Sequence, residues 1–169
     1  NKYADYSLQY AKDNGKNKLT FFSNYILEHK MRSLEILKYI RESVSDDYRG
    51  FELNYQPQVE VSSKQIKGVE ALLRWQCQEL GKVSPVEFIP ILEESGLIIP
   101  VGLWVIKKAI QACSKWVVYD PEFSVSINVS ALQMLNSDFV EDVKKVLKKE
   151  KLAPKNIVLE LTESYMVRN

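Results

Sequence analysis

The sequence predicts an α/β fold, part of a TIM-type (β/α) barrel, truncated and led in by one long helix. Three observations carry that reading. Short stretches of alternating apolar and polar residues are separated by helical stretches of ten or more, the pattern of βαβ crossovers and a parallel sheet. One face of each expected strand is aliphatic, as under a layer of helices. The other face ends in Gln56, Glu70, Asn128 and Glu160, each read as lying toward a strand's C-terminal end, where β/α barrels build their sites. A doubly wound sheet also gathers ligands there, often over a glycine-rich loop, yet the chain contains neither GxGxxG nor a P-loop motif.

The elements follow in order. Residues 3–14 place Ala4, Leu8 and Ala11 at helical spacing, and Gly15 suits the position just past a helix end. A short strand, Leu19 to Phe22, comes next. These first residues are too few to fold alone and read as the end of a preceding domain (1–23). The sequence predicts a long helix over 24–46, with Leu27, Met31, Leu34, Leu37, Ile40 and Val44 on one stripe and charges on the other faces. It is either an interdomain connector or dimerisation helix, or a helix packed on its own domain. From Phe51 the alternation is strand-like: Glu52, Asn54 and Gln56 share a face, and a second extended segment runs from Gln58 to Val61. A Ser62-Ser63-Lys64 turn leads to the strand Ile66–Trp75.

Ser84-Pro85-Val86-Glu87 has the form of a capping box with proline at the first helical position, so a helix is expected over Pro85–Glu94, closed by Gly96. A second is expected from about Val101 to Trp116, burying Trp104, Val105, Ala109, Ala112, Cys113 and Trp116. The strand Phe123–Val129 then sets Ser124, Ser126 and Asn128 against Val125, Ile127 and Val129. Ser130 and Gln133 form a second box-like cap. A helix follows from Asp138 to near Lys151, and a final strand from Ile157 to Glu163 carries Glu160 on its polar face.

Composition narrows the function. Lys plus Arg (23) nearly balances Asp plus Glu (22), which points to neither a nucleic-acid binder nor an acidic tail. Cys77 and Cys113 lack metal-ligand spacing and fit a reduced, cytoplasmic protein. The one histidine, His29, lies in a polar helical region and reads as solvated. No apolar run reaches the ~18 residues of a spanning helix. The chain opens without Met, inside an expected helix, as a piece of something longer would.

Glu70 and Arg74 stand inside the apolar run of Gly68-Val69-Glu70-Ala71-Leu72-Leu73-Arg74-Trp75, and charges there need compensation. A structural ion pair is one reading; a metal or phosphate site is the other. Two glutamates and an asparagine amide are hard oxygen donors suited to Mg²⁺, Mn²⁺ or Ca²⁺ rather than zinc. Such an ion polarises a phosphoryl oxygen and activates water, and an arginine fork binds phosphate. Each residue also has a plain reading: Asn128 helping the turn into the next helix, Glu160 pairing with Lys155, Gln56 satisfying backbone at a strand end. Their common position at one end of successive strands argues against four separate explanations.

The stretch holding Glu70-Ala71-Leu72 resembles the signature of EAL domains, bacterial cyclic di-GMP phosphodiesterases. The resemblance extends in order through Tyr55-Gln56-Pro57, Val83 to Pro90, Glu93 to Ile98, Ile127-Asn128-Val129-Ser130 and Glu160 to Ser164, covering 51–169. It implies that Glu70, Asn128 and Glu160 ligate the catalytic Mg²⁺ or Mn²⁺ ions of a two-metal-assisted hydrolysis, with Glu70 and Glu160 as catalytic carboxylates. Gln56 and Arg74 would contact the dinucleotide, hydrolysed to linear pGpG. Residues 1–23 are similar to the end of a GGDEF domain, which makes 24–50 the linker helix and implies upstream GGDEF and sensory domains.

Residues 51–169 are about half of the ~250 residues of a complete barrel. The family's later aspartates, lysine and glutamate would lie beyond Asn169, so the expectation for 1–169 alone is no hydrolysis. Unpaired strand edges also suggest a homodimer that completes the sheet. Two classes stay open: a phosphodiesterase, or a degenerate domain that binds cyclic di-GMP or a protein without cleavage.

Overall fold

A computed structural model describes residues 24–161, together with Asp5 and Leu8 ahead of them. Apart from those two, the helix expected over 3–14 and the strand at 19–22 lie outside the described residues, as do Thr162 and Glu163 at the end of the last strand.

Helix α1 (Asn24–Ser45) leads into β1 (Phe51–Val59), β2 (Ile66–Cys77) and the short β3 (Gly81–Val83). Helices α2 (Pro85–Glu94) and α3 (Ile98–Trp116) follow, then β4 (Ser124–Val129), a single turn α4 (Ala131–Met134), α5 (Phe139–Glu150), a 3₁₀ turn at Pro154–Asn156 and β5 (Ile157–Leu161). The strand order is β1-β2-β4-β5, with β3 paired to β2, and the sheet is open.

The expectation of a parallel sheet holds for β2, β4 and β5. It fails for the first pair: β1 and β2 are antiparallel. The physical reason is the connection. Residues 60–65 are far too few for a crossover, and Lys64 N–H donates back to Glu60 O at 2.8 Å to close a hairpin. The segments read as two strands, Phe51–Pro57 and Gln58 onward, are one strand with a register shift between Gln58 and Val59. Pro57 is tolerated because β1 is an edge strand. Strand β3 was not expected; three residues carry no readable periodicity.

The aliphatic faces of β2 and β4 (Val69, Ala71, Trp75, Val125, Ile127) pack on Phe88 and Leu92 of α2 and on Val101, Val105, Ile106, Ala109 and Ile110 of α3. Helix α3 starts at Ile98, earlier than expected, and Trp104 and Trp116 sit on the rim rather than inside. Trp104 stacks on Tyr48 (centroids 5.6 Å apart) and Trp116 meets Tyr55 edge-on at 4.9 Å. Helix α1 buries Ile26, Ile36, Ile40 and Ser43, while Met31 and Leu34 of the expected stripe are exposed. Its packing partner is α2. Helix α2 begins at Ser84 as expected, with Glu87 and Phe88 N–H donating to the Ser84 carbonyl. The capping box itself does not form, because the Glu87 carboxylate accepts from Arg32 Nε of α1 at 3.4 Å.

Cys113 is fully buried on α3. Burial pushes its thiol from 9.0 up to about 11. The folded state therefore holds the proton more tightly than the unfolded chain. That contribution to stability is complete below about pH 9 and is lost as pH rises through about 11. Urea midpoints for wild type and Cys113→Ala are expected to converge over this interval; a constant separation contradicts the buried neutral thiol.

Candidate functional site

The polar face of the sheet follows from strand register. Gln56 lies opposite Glu70, and Glu52 opposite Arg74. Glu70 is beside Ser126 of β4, and Asn128 beside Glu160 of β5. Residues paired across neighbouring strands share a face, so Gln56, Glu70, Asn128 and Glu160 come to one side, opposite the aliphatic core. Glu70 and Glu160 are half-buried; Gln56 and Asn128 are exposed.

One direct contact joins the set. Asn128 Nδ2 donates to Glu70 Oε1 at 2.7 Å, a charge-assisted bond of the stronger kind. It uses the donor end of the amide and leaves the Asn128 carbonyl oxygen without a protein donor among the described residues. Beneath it, Gln58 Nε2 donates to the buried Ser126 hydroxyl at 3.3 Å. Gly68 lets β2 come close to β4 there, since a Cβ would stand 2.7 Å from Ser124 O.

Glu70 is not at the C-terminal end of its strand. It lies one residue before the end of the parallel section instead: β2 pairs with β4 only over Gly68–Ala71, and beyond that β2 runs with β1 and β3. Arg74 lies four residues further along, about 13 Å at strand rise. Arg74 pairs with no carboxylate among the described residues; its Nη1 donates to the Leu73 carbonyl at 2.9 Å. The two charges therefore do not form the structural ion pair. Lys155 pairs with Glu122, not Glu160. Asn128 caps no helix; the turn into α4 is made by Ser130.

Among the described residues no three His, Cys, Asp or Glu cluster as a ready metal site. The candidate ligands Glu70, Asn128 and Glu160 supply two carboxylates and one amide oxygen. Their chemistry fits Mg²⁺ or Mn²⁺, and alone they leave an octahedral shell incomplete. Sequence reasoning passed over Gln58, Ser126 and Glu93, whose carboxylate accepts from the Ser130 hydroxyl at 2.7 Å. For Glu93 a signal existed: a carboxylate in the last turn of a helix opposes its dipole.

The family model described as EAL domain matches residues 39–169. The bifunctional diguanylate cyclase/cyclic di-GMP phosphodiesterase MucR of Pseudomonas aeruginosa is 33% identical over 167 residues, covering 98% of this chain and 24% of that protein. The EAL enzyme Bd1971, solved with cAMP bound, aligns with TM-score 0.71 at 35% identity, over 83% of this chain and 40% of that one. The PaMucR phosphodiesterase in complex with cyclic di-GMP aligns with TM-score 0.70 at 31% identity, over 79% of this chain and 57% of that one. The chain thus spans about a quarter of the length of the curated relatives it matches. No described helix is long and apolar enough to cross a membrane. With its open α/β sheet, its polar strand face and a family match over most of its length, the chain belongs to the EAL domain family.

Proposed function

We propose that the domain to which these residues contribute hydrolyses cyclic di-GMP, opening one phosphodiester to give linear pGpG. Glu70, Asn128 and Glu160 would hold Mg²⁺ or Mn²⁺, with Gln56 and Arg74 on the dinucleotide. The observation that supports it best is the 2.7 Å contact of Asn128 with Glu70, with Glu160 paired to Asn128 in register, in a chain similar to a phosphodiesterase solved in complex with cyclic di-GMP. A divalent ion bound there polarises a phosphoryl oxygen and makes water nucleophilic at neutral pH.

The chain's own residues do the rest. The Asn128 amide fixes the Glu70 carboxylate and turns its own oxygen free. Glu70 and Glu160 bring the negative charge that a hard cation needs. Gln56, across from Glu70, offers an amide to the ligand. Arg74, paired with no carboxylate among the described residues, offers its guanidinium fork to a phosphate of the ligand. In the hydrolysis a water oxygen bonds to phosphorus as the bond to one ribose oxygen breaks. Residues 1–23 would end a GGDEF domain and α1 would be its linker. The MucR match in its favour covers 98% of this chain, although the family model begins at residue 39.

The test is incubation of the natural protein containing these residues with cyclic di-GMP, with Mg²⁺ or Mn²⁺ and with EDTA, and chromatography of the products. Metal-dependent pGpG supports the reading; binding without turnover assigns a receptor instead. Purified 1–169, with its incomplete shell, is expected to give no turnover and to sediment as a dimer through the β5 edge, where Leu159 and Leu161 are 40% and 45% exposed. Measurable turnover contradicts the first expectation, and a monodisperse monomer the second.

A further inference from the structure

Asn128 stands where the sheet stops holding it on one side. The β2–β4 ladder runs from Gly68–Ser124 to Ala71–Ile127 and ends. Asn128 therefore pairs only with Glu160 of β5. Its bond to Glu70 across the open side then depends on what fixes the chain just past it.

Two residues on, Ser130 is held twice. Its hydroxyl donates to Glu93 Oε1 of α2 at 2.7 Å, and its backbone N–H donates to Gln133 Oε1 at 3.1 Å. Ser130 is 5% exposed and Gln133 3%. Gln133 lies so close to Gly102 of α3 that a Cβ there would come within 2.0 Å of Nε2. Only glycine leaves that space. The corner after β4 is thus tied to both helices that cover the sheet.

Glu93 is costly where it stands. It sits in the last turn of α2, where the helix dipole disfavours a carboxylate. It is half-buried, and among the described residues no cation pairs with it. Ser130 is its hydrogen-bond partner.

We propose that Glu93 is a positioning residue: through Ser130, with Gln133 seated on Gly102, it fixes the corner after β4 and so aims the Asn128 amide at Glu70. Aiming the amide also sets the Asn128 oxygen as a ligand for a divalent ion. That second consequence rests on the function proposed above; the first does not.

The test compares ¹⁵N-labelled 169-residue chains: wild type, Glu93→Ala, Glu93→Gln, Ser130→Ala and the Glu93→Ala/Ser130→Ala pair. The first readout is the Asn128 side-chain amide resonances and their hydrogen exchange. Wild type and Glu93→Gln, whose amide oxygen still accepts from Ser130, are expected to keep downfield, slowly exchanging signals. Glu93→Ala and Ser130→Ala are expected to move them to those of a free asparagine, with the pair no worse than either single. The second readout is Mn²⁺ broadening of the Glu70 and Asn128 backbone amides. Its midpoint is expected to rise about tenfold in both single alanine variants and to recover in Glu93→Gln, the lower end of what losing a ligand-orienting hydrogen bond costs. A merely structural Glu93 would lower the melting temperature and leave the folded Asn128 amide signals unchanged; that result overturns the proposal. If wild type shows no Mn²⁺ broadening, the metal reading fails, and the amide signals alone decide the positioning role. Should Glu93→Ala not fold, Ser130→Ala decides it.

Discussion

Glu70→Gln, in the natural protein that contains these residues, is expected to cut cyclic di-GMP turnover on the order of 10³-fold with the melting temperature essentially unchanged. The substitution conserves shape and keeps an oxygen to accept from Asn128 Nδ2, now 2.7 Å from the carboxylate. It removes the charge and exchanges one acceptor oxygen for an NH₂ donor. Glu70 is half-buried and belongs to no ion pair among the described residues, so the folded state loses little. The proposed reaction loses a carboxylate that a hard cation requires. Turnover within a few-fold of wild type at saturating Mn²⁺ would remove Glu70 from the site. Replacing Glu160 on β5, on the far side of β4, tests the same charge from the other side, and the two effects should not add, because in the proposed site both carboxylates serve the same metal centre.

Trp75→Ala is expected to cost about 3–5 kcal/mol of stability, the largest loss from any single truncation in this core. Trp75 is 2% exposed. Its ring lies 5.9 Å from Phe51 and 6.0 Å from Phe88, centroid to centroid. Its indole N–H donates to Ser43 Oγ at 3.1 Å, which ties α1 to β2 five residues past Glu70. The variant loses the packing and also leaves the buried Ser43 hydroxyl without its donor. Trp75→Phe separates the two: it keeps a ring and is expected to cost about 1–2 kcal/mol. Urea unfolding followed by circular dichroism measures both. Equal losses for Ala and Phe would mean that the hydrogen bond, not the ring, holds the strand.

The parts of the fold legible in the sequence are those set by local pattern. The alternation in Ser124–Val129 gives both faces of β4, and Pro85 marks the start of α2 correctly because its fixed φ acts within one residue. What sequence reading missed depends on residues distant in the chain. Glu87 has the spacing of a capping box, but Arg32, 55 residues away, takes its carboxylate. The α1 stripe through Met31 and Leu34 reads as a buried face. Its later members Leu37, Ile40 and Val44 do pack on the core beside Ile36, and periodicity cannot say how much of a stripe finds a partner. The antiparallel hairpin was readable from the shortness of residues 60–65, a length signal overridden by the expectation of crossovers.

For the site, the polar residues of each strand were evident one by one. Their meeting is set by register, which no single strand encodes: Glu70 stands beside Ser126 and Asn128 beside Glu160 only once β4 is placed between β2 and β5. Arg74 shows the limit most clearly. Alternation puts it on the same face as Glu70, while strand rise sets its backbone about 13 Å away, and its guanidinium donates to the Leu73 carbonyl rather than to Glu70. Glu93 lies on another element entirely and, among the described residues, reaches the site through Ser130.

The most direct measurement is a Mn²⁺ titration of the ¹⁵N-labelled 169-residue chain, followed by paramagnetic broadening of assigned backbone amides. Even a weakly bound ion is expected to broaden Glu70, Asn128 and Glu160 first, with Ser126 close behind, and Glu70→Gln is expected to abolish that pattern. Broadening centred instead on the carboxylates Glu141 and Asp142 of α5, exposed and half-buried respectively, or none at these three strands, would contradict a metal site on the polar face.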